Sequence, residues 1–170
     1  VIVPRKGIHE LKRLLEEDDE PVDIGFKKNT GVIRKKDVLL VVRLIDGEFP
    51  DYKQVIPKET KRTLIVAREA LLASLRRISI LATERSKAVR LELGKNRLEL
   101  SSSNPDLGEA REELEVDYDG EALAVGFNAR YLLDALSVLE AKEVRLGLND
   151  ELSPGTLRPA ADDSTVAVVM

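Results

Sequence analysis

The stretch 63–79, Thr-Leu-Ile-Val-Ala-Arg-Glu-Ala-Leu-Leu-Ala-Ser-Leu-Arg-Arg-Ile-Ser, decides the fold. It opens on residues that suit a pleated strand and continues, without Gly or Pro, into a segment whose apolar period changes. Leu71, Leu72, Leu75 and Ile78 fall on one face of a helix. A strand that feeds straight into an amphipathic helix buries both apolar faces against one core, so the stretch predicts a helix packed on a sheet.

The same junction recurs at about sixty-residue intervals, long enough for a supersecondary unit. Val1-Ile2-Val3 precedes Pro4-Arg5-Lys6, and Leu123-Ala124-Val125-Gly126-Phe127 precedes Asn128-Ala129-Arg130. The first helix places Ile8, Leu11, Leu14 and Leu15 on one stripe, the third Leu132, Leu133, Leu136 and Leu139, and all three helices are expected to face a core. After each helix the pattern changes to alternation, in Val22-Ile24-Phe26, in 89–93 and in 144–148.

Turn residues follow at Asn29-Thr30-Gly31, Gly94-Lys95-Asn96 and Asn149-Asp150. Second strands are expected over 38–44, 98–101 and 156–159, and closing strands over 114–118 and 165–170. The unit reads β-α-β-β-β, and the fold class is α+β, with helices packed on antiparallel sheets. Units two and three, from about residue 60, form a pair, and the first stands without a counterpart.

The composition, 43% hydrophobic and 34% charged residues, is that of a chain that folds in water. With no Trp and only three Phe and three Tyr, the core has to be built from Leu, Ile, Val and Ala. The absence of Cys removes disulfides, thiolate catalysis and Cys-ligated zinc, and suits the cytoplasm. No apolar run is long enough for a membrane span, and the start at Val1-Ile2-Val3-Pro4 lacks the pattern of a signal peptide. Because the chain begins with Val and not Met, it reads as a fragment.

Catalytic constellations are poorly supplied. The one histidine, His9, sits between Ile8 and Glu10 near the start of the first helix, where a surface role is expected. Carboxylates cluster at 16–20, 117–121 and 162–163, but at a helix end and at turns, with only part of a calcium-loop pattern. Gly94-Lys95 has neither the preceding glycine nor the following Ser or Thr of a phosphate loop. No cofactor, metal or catalytic residue is expected.

Two segments carry a resemblance: Val1-Ile2-Val3-Pro4-Arg5-Lys6-Gly7 ahead of an amphipathic helix, and 44–52 (Leu-Ile-Asp-Gly-Glu-Phe-Pro-Asp-Tyr) ahead of Val55-Ile56-Pro57. Ala88-Val89-Arg90-Leu91, Ser103-Asn104-Pro105, Gly126-Phe127-Asn128 with Tyr131-Leu132-Leu133-Asp134, and Val168-Val169-Met170 continue it in order. These resemble the bacterial DNA polymerase sliding clamps, the beta subunits of DNA polymerase III. The resemblance implies three similar domains per subunit, each of two β-α-β-β-β units, and a head-to-tail homodimeric ring around duplex DNA.

Residues 1–57 would then be the second half of the middle domain. Residues 58–170 would be the third domain, short of the last few residues, where the family usually continues with Pro-Met-Arg-Leu or similar. The implied role is non-catalytic: a processivity factor in DNA replication that tethers the polymerase III catalytic subunit, the clamp loader and other clients through a peptide pocket. By the same resemblance the cations of the helices, Arg5, Lys6, Lys12, Arg13, Arg76 and Arg77, face phosphates without reading sequence, with Arg68, Arg85, Lys87 and Arg130 nearby. Pro50, Val55, Asn128, Tyr131, Val168 and Met170 match pocket positions or positions near the pocket, and Ile80 and Leu81 match the contact between subunits. A protein–protein scaffold without DNA is the alternative that keeps the fold, and it would not need cations concentrated on helices.

Overall fold

A computed structural model describes residues 1–15, 20–49, 51–82 and 88–170, which divide into two compact units, Val1–Asp51 and Tyr52–Met170. The first unit contains helix α1 (Arg5–Leu15) and the antiparallel strands β1 (Asp23–Lys27), β2 (Thr30–Lys35) and β3 (Val38–Arg43), in that order across the sheet. The β1–β2 turn is Lys28-Asn29, one residue earlier than the sequence suggests. Lys28 takes the positive φ of 52° that a tight hairpin needs, and Thr30 and Gly31 already belong to β2.

α1 approaches β3 at Gly7, where an added Cβ would lie 2.7 Å from Cγ1 of Val42. The far end of the helix is held by Lys35, whose buried Nζ donates to the Leu14 carbonyl at 2.7 Å and so places a cation at the negative end of the helix dipole. Core residues of this unit are few: Ile33, Val42 and Leu44. The expected core-facing stripe of the first helix is not buried, since Ile8 and Leu15 are exposed and Leu11 and Leu14 half-buried. One helix on a three-stranded sheet covers only one layer of apolar side chains, which also leaves Ile24, Phe26, Leu39 and Val41 exposed.

The second unit begins with the short helix α2 (Tyr52–Val55), then β4 (Arg62–Ala67) and α3 (Arg68–Ser79), then β5 (Ala88–Gly94), β6 (Arg97–Asn104) and β7 (Gly108–Glu115). The last repeat supplies β8 (Leu123–Asn128), α4 (Ala129–Val138), β9 (Glu143–Leu148), β10 (Gly155–Pro159) and β11 (Ala167–Val169). All pairings are antiparallel, in sheets ordered β11-β10-β9-β4 and β7-β6-β5-β8. Each sheet takes three strands from one repeat and its fourth from the start of the other. This exchange explains why the repeat appears in a pair: β4 and β8 pair along their whole lengths with β9 and β5, strands of the other repeat.

α3 packs on β5, β6 and β7, α4 on β8 and β11, and the two helices on each other. Leu71, Leu75 and Ile78 of α3 meet Leu132 and Leu136 of α4 in one buried cluster with Leu91, Leu98, Leu100, Leu146 and Leu157 of the sheets. The closing strand expected over 114–118 is instead β7, over 108–115. Asn104 Oδ1 accepts from the amides of Asp106 and Leu107, and Gly108 adopts φ 99°, so the hairpin turns early. Glutamates 109, 112, 113 and 115 hide the strand from a propensity reading, although Ala110, Glu112 and Leu114 alternate as its half-buried face.

Candidate nucleic-acid and partner surfaces

Two cations of α3, Arg76 and Arg77, lie in its last turn, where they oppose the negative end of the helix dipole. Arg76 and Arg77 are both exposed but differ in their surroundings. Arg77 is clamped by Glu112 of β7: Nε donates to Oε1 at 2.5 Å and Nη2 to Oε2 at 2.6 Å, a fork-on-fork pair, and Nη2 also reaches Ser74 Oγ at 3.3 Å. The Arg77 guanidinium holds the Glu112 carboxyl below the ordinary glutamate value, and Glu112 in turn raises Arg77. Nothing in the sequence pairs positions 77 and 112. Glu112 is therefore a residue that sequence reading misses.

The sign of this linkage gives an expected result. Glu112 is depressed in the folded state, so its ion pair contributes stability above the ordinary glutamate value and loses it as pH falls through the lower folded value. Glu112→Gln should lower the urea midpoint near neutral pH and converge with wild type in acid. A constant difference across that pH range would mean that the loss comes from packing. The effect should be modest, because the Arg77 side chain is 60% exposed.

On α1, Arg5, Lys6, Lys12 and Arg13 are exposed, and Arg13 pairs with Glu10 at 3.1 Å. Arg68, grouped with the cations above, serves a structural end: its Nε and Nη1 donate to the carbonyls of Ala141 and Leu136 and cap the end of α4. Arg130 lies 3.8 Å from Asp134, one turn on. Arg85 and Lys87 lie outside the described residues, as do Pro50 and residues 16–19 of the acidic run.

Asn128 is the N-cap of α4, accepting at Oδ1 from the Arg130 amide at 3.0 Å. Tyr131, in the first turn of α4, is exposed. α4 packs on β11, whose Val168 is half-buried opposite Thr156, and Met170 follows with its side chain exposed. The fold thus brings Asn128, Tyr131, Val168 and Met170 to two packed elements and their ends, and Val55 ends α2 with its side chain exposed.

Beyond α3 the chain tightens into successive i to i+3 bonds, from the amides of Ile80, Leu81 and Ala82. Ile80 is 76% exposed and Leu81 half-buried, so the two part company at the helix end.

In the carboxylate clusters at 117–121 and 162–163, side chains are engaged in turns and ion pairs. Glu121 takes Arg62 Nη2 at 2.7 Å, and its carbonyl accepts from Tyr118 Oη at 2.7 Å. Asp162 accepts from the Ser164 hydroxyl and amide, which hold its carboxyl below the ordinary aspartate value. Among the described residues no three His, Asp or Glu side chains converge as a metal would require.

A pair of helices on two strand-exchanged antiparallel sheets, with arginines at the end of one helix and an exposed apolar strand end beside the other, defines a repeat domain of the DNA-clamp class. The family model for the C-terminal domain of the DNA polymerase III beta subunit matches residues 53–170, and the model for its central domain matches residues 1–51. The chain belongs to the DNA polymerase III beta subunit family. It is 41% identical over its whole length to the beta sliding clamp of Haemophilus influenzae, of which it spans 46%.

Among solved structures, the DNA polymerase III subunit beta of Pseudomonas aeruginosa superposes with a TM-score of 0.92 at 38% identity, covering all of this chain and 47% of that one. The clamp of the same organism bound to griselimycin gives 0.89 at 38% identity, with 100% and 46% covered.

Proposed function

We propose that this chain is the second half of a middle clamp domain (1–57) followed by a C-terminal clamp domain (58–170). In the whole protein it serves as a non-catalytic processivity factor in the cytoplasm. Two subunits close into a ring on duplex DNA and tether the replicative polymerase, the clamp loader and other clients. The observation that carries this reading is the ordered match of central and C-terminal beta-subunit domains to one chain. No helix among the described residues is long and apolar enough to cross a membrane.

Arg5, Lys6, Lys12, Arg13, Arg76 and Arg77 contact phosphates. Diffuse cations on helices suit sliding, because the charge lattice of DNA is the same in every register and a sequence-blind contact neither reads bases nor fixes a position. Pro50, Val55, Asn128, Tyr131, Val168 and Met170 take an apolar client peptide, and the griselimycin complex of the Pseudomonas aeruginosa clamp supports ligand capture by this family. Ile80 and Leu81 pack on the neighbouring subunit, a role favoured by the 76% exposure of Ile80 at a helix end.

The test restores a full-length clamp by joining this chain to the parts of the Haemophilus influenzae clamp that precede and follow the matched region. Loaded on a nicked circular duplex, the chimera should persist until the circle is linearised. Equal lifetimes on circular and linear DNA would favour a scaffold without a topological role. In the same chimera, Arg76→Ala should reduce the slope of log affinity against log salt by about 0.9, the value for one phosphate contact. Arg77→Ala should reduce it by less, because its guanidinium is shared with Glu112. Equal slopes for wild type and Arg76→Ala would remove α3 from the DNA surface.

A further inference from the structure

The sheet β11-β10-β9-β4 buries Leu64 and Val66 of β4 and leaves Thr63 and Ile65 on its other face. That outer face carries a hollow of about 400 Å³ lined by Lys58, Thr60, Thr63, Arg145, Arg158 and Asp163. Arg145 and Arg158 are direct cross-strand partners on β9 and β10. Like charges in that position repel, so the pair calls for a shared anion. It has one: Asp163, between β10 and β11, accepts at Oδ1 from Arg158 Nη1 at 3.5 Å and from Arg145 Nη2.

One carboxylate faces two guanidiniums, and Lys58 lines the same hollow. The arginines are the better-anchored members, with side chains 32% and 25% exposed against 69% for Asp163. Neutral donors stand alongside. Thr60 and Thr63 share a hydroxyl contact of 3.1 Å, and Thr156 at the floor reaches the Gly147 carbonyl only at 3.5 Å. A Cβ at Gly147 would sit 2.7 Å from Thr156 Oγ1 and 2.7 Å from Thr60 Cγ2, so the glycine keeps the floor open.

We propose that this hollow binds a phosphate-class oxyanion and that Asp163 is the internal occupant it displaces. A tetrahedral dianion matches two guanidinium forks, an ammonium and hydroxyls better than a carboxylate with two oxygens, and it neutralises the charge that Asp163 leaves uncompensated. Within this unit the site is separate from Arg76 and Arg77 of α3, because α3 and α4 pack on the sheet faces that form the core.

Inorganic phosphate titrated calorimetrically into the full chain, at fixed ionic strength near neutral pH, should show one saturable site. Asp163→Asn removes the competitor and should tighten binding about tenfold, whereas Arg158→Gln should weaken it about tenfold, the scale of one charge-assisted hydrogen bond. Lys58→Gln, on an exposed residue outside the strands, should weaken binding without touching the sheet and serves if Arg158→Gln unfolds. A structural ion pair alone predicts the opposite for Asp163→Asn: lower stability and no gain in affinity, which would overturn the proposal. Binding that chloride of equal ionic strength abolishes would also overturn it, and displacement of phosphate by a DNA duplex would overturn its separateness from the DNA surface.

Discussion

Leu75→Ala is expected to cost the Tyr52–Met170 unit about 2 to 5 kcal/mol, toward the upper end of what a buried leucine loses on truncation. Leu75 is 0% exposed and belongs to the cluster in which α3 meets α4 and both sheets, so strand-exchanged layers surround the vacancy. Collapse into the gap would require helices and strands to move together, and a close-packed interior resists that. A loss of this size is a large share of the roughly 5 to 15 kcal/mol that holds a typical domain folded. Leu11→Ala in α1, at a half-buried position, should cost clearly less. Urea unfolding followed by circular dichroism measures both, and a loss under about 1 kcal/mol at Leu75, the size expected of a surface change, would mean that α3 is not seated on the core.

The three long helices and most strands were legible because their apolar periods are unambiguous: Leu71, Leu75 and Ile78 could be assigned to a buried face from spacing alone, and all three are buried. The short α2 and β2 were not among the expected elements. Where reading failed, tertiary context outweighed pattern. α1 has as clear a stripe as α3, yet periodicity reports that a face is apolar and not whether anything covers it. β7 was misplaced because its glutamates lower strand propensity. Its edge position and the Arg77–Glu112 pair supply what propensity lacks. Strand exchange left no mark in the sequence, because β4 and β8 have the same composition whichever sheet they join.

Pairings at long sequence distance were similarly invisible. Asn128 drew attention through resemblance, and the structure adds a local duty, the N-cap of α4, so a change there alters the helix as well as anything bound beside it. The cations gained a ranking: Arg68 is committed to the carbonyls at the end of α4, Arg77 is shared with Glu112, and Arg76 is exposed in the last turn of α3. Sequence supplied their sign and approximate place, and only packing separates structural from surface charges.

Met170→Ala should leave the fold intact and remove about 1 to 3 kcal/mol of client-peptide affinity, roughly 5- to 150-fold, if the side chain packs against an apolar anchor. Alternation along β11 explains why the two effects separate. Val169 points into the core and is 4% exposed, whereas Val168 and Met170 lie on the opposite face, half-buried and 70% exposed. Val169→Ala is therefore the stability control, expected to lower the unfolding midpoint while Met170→Ala does not. A flexible thioether suits a surface that accepts several different anchors, because Met repacks at low cost. Each client needs only about micromolar affinity, near −8 kcal/mol, so that partners can exchange on one ring. The measurement is a titration of a labelled peptide with apolar anchors against the full-length chimera and its Met170→Ala and Val169→Ala variants, with thermal unfolding of each. Unchanged peptide affinity in a stably folded Met170→Ala chimera would show that this strand end takes no part in capture and would move the pocket elsewhere on the domain.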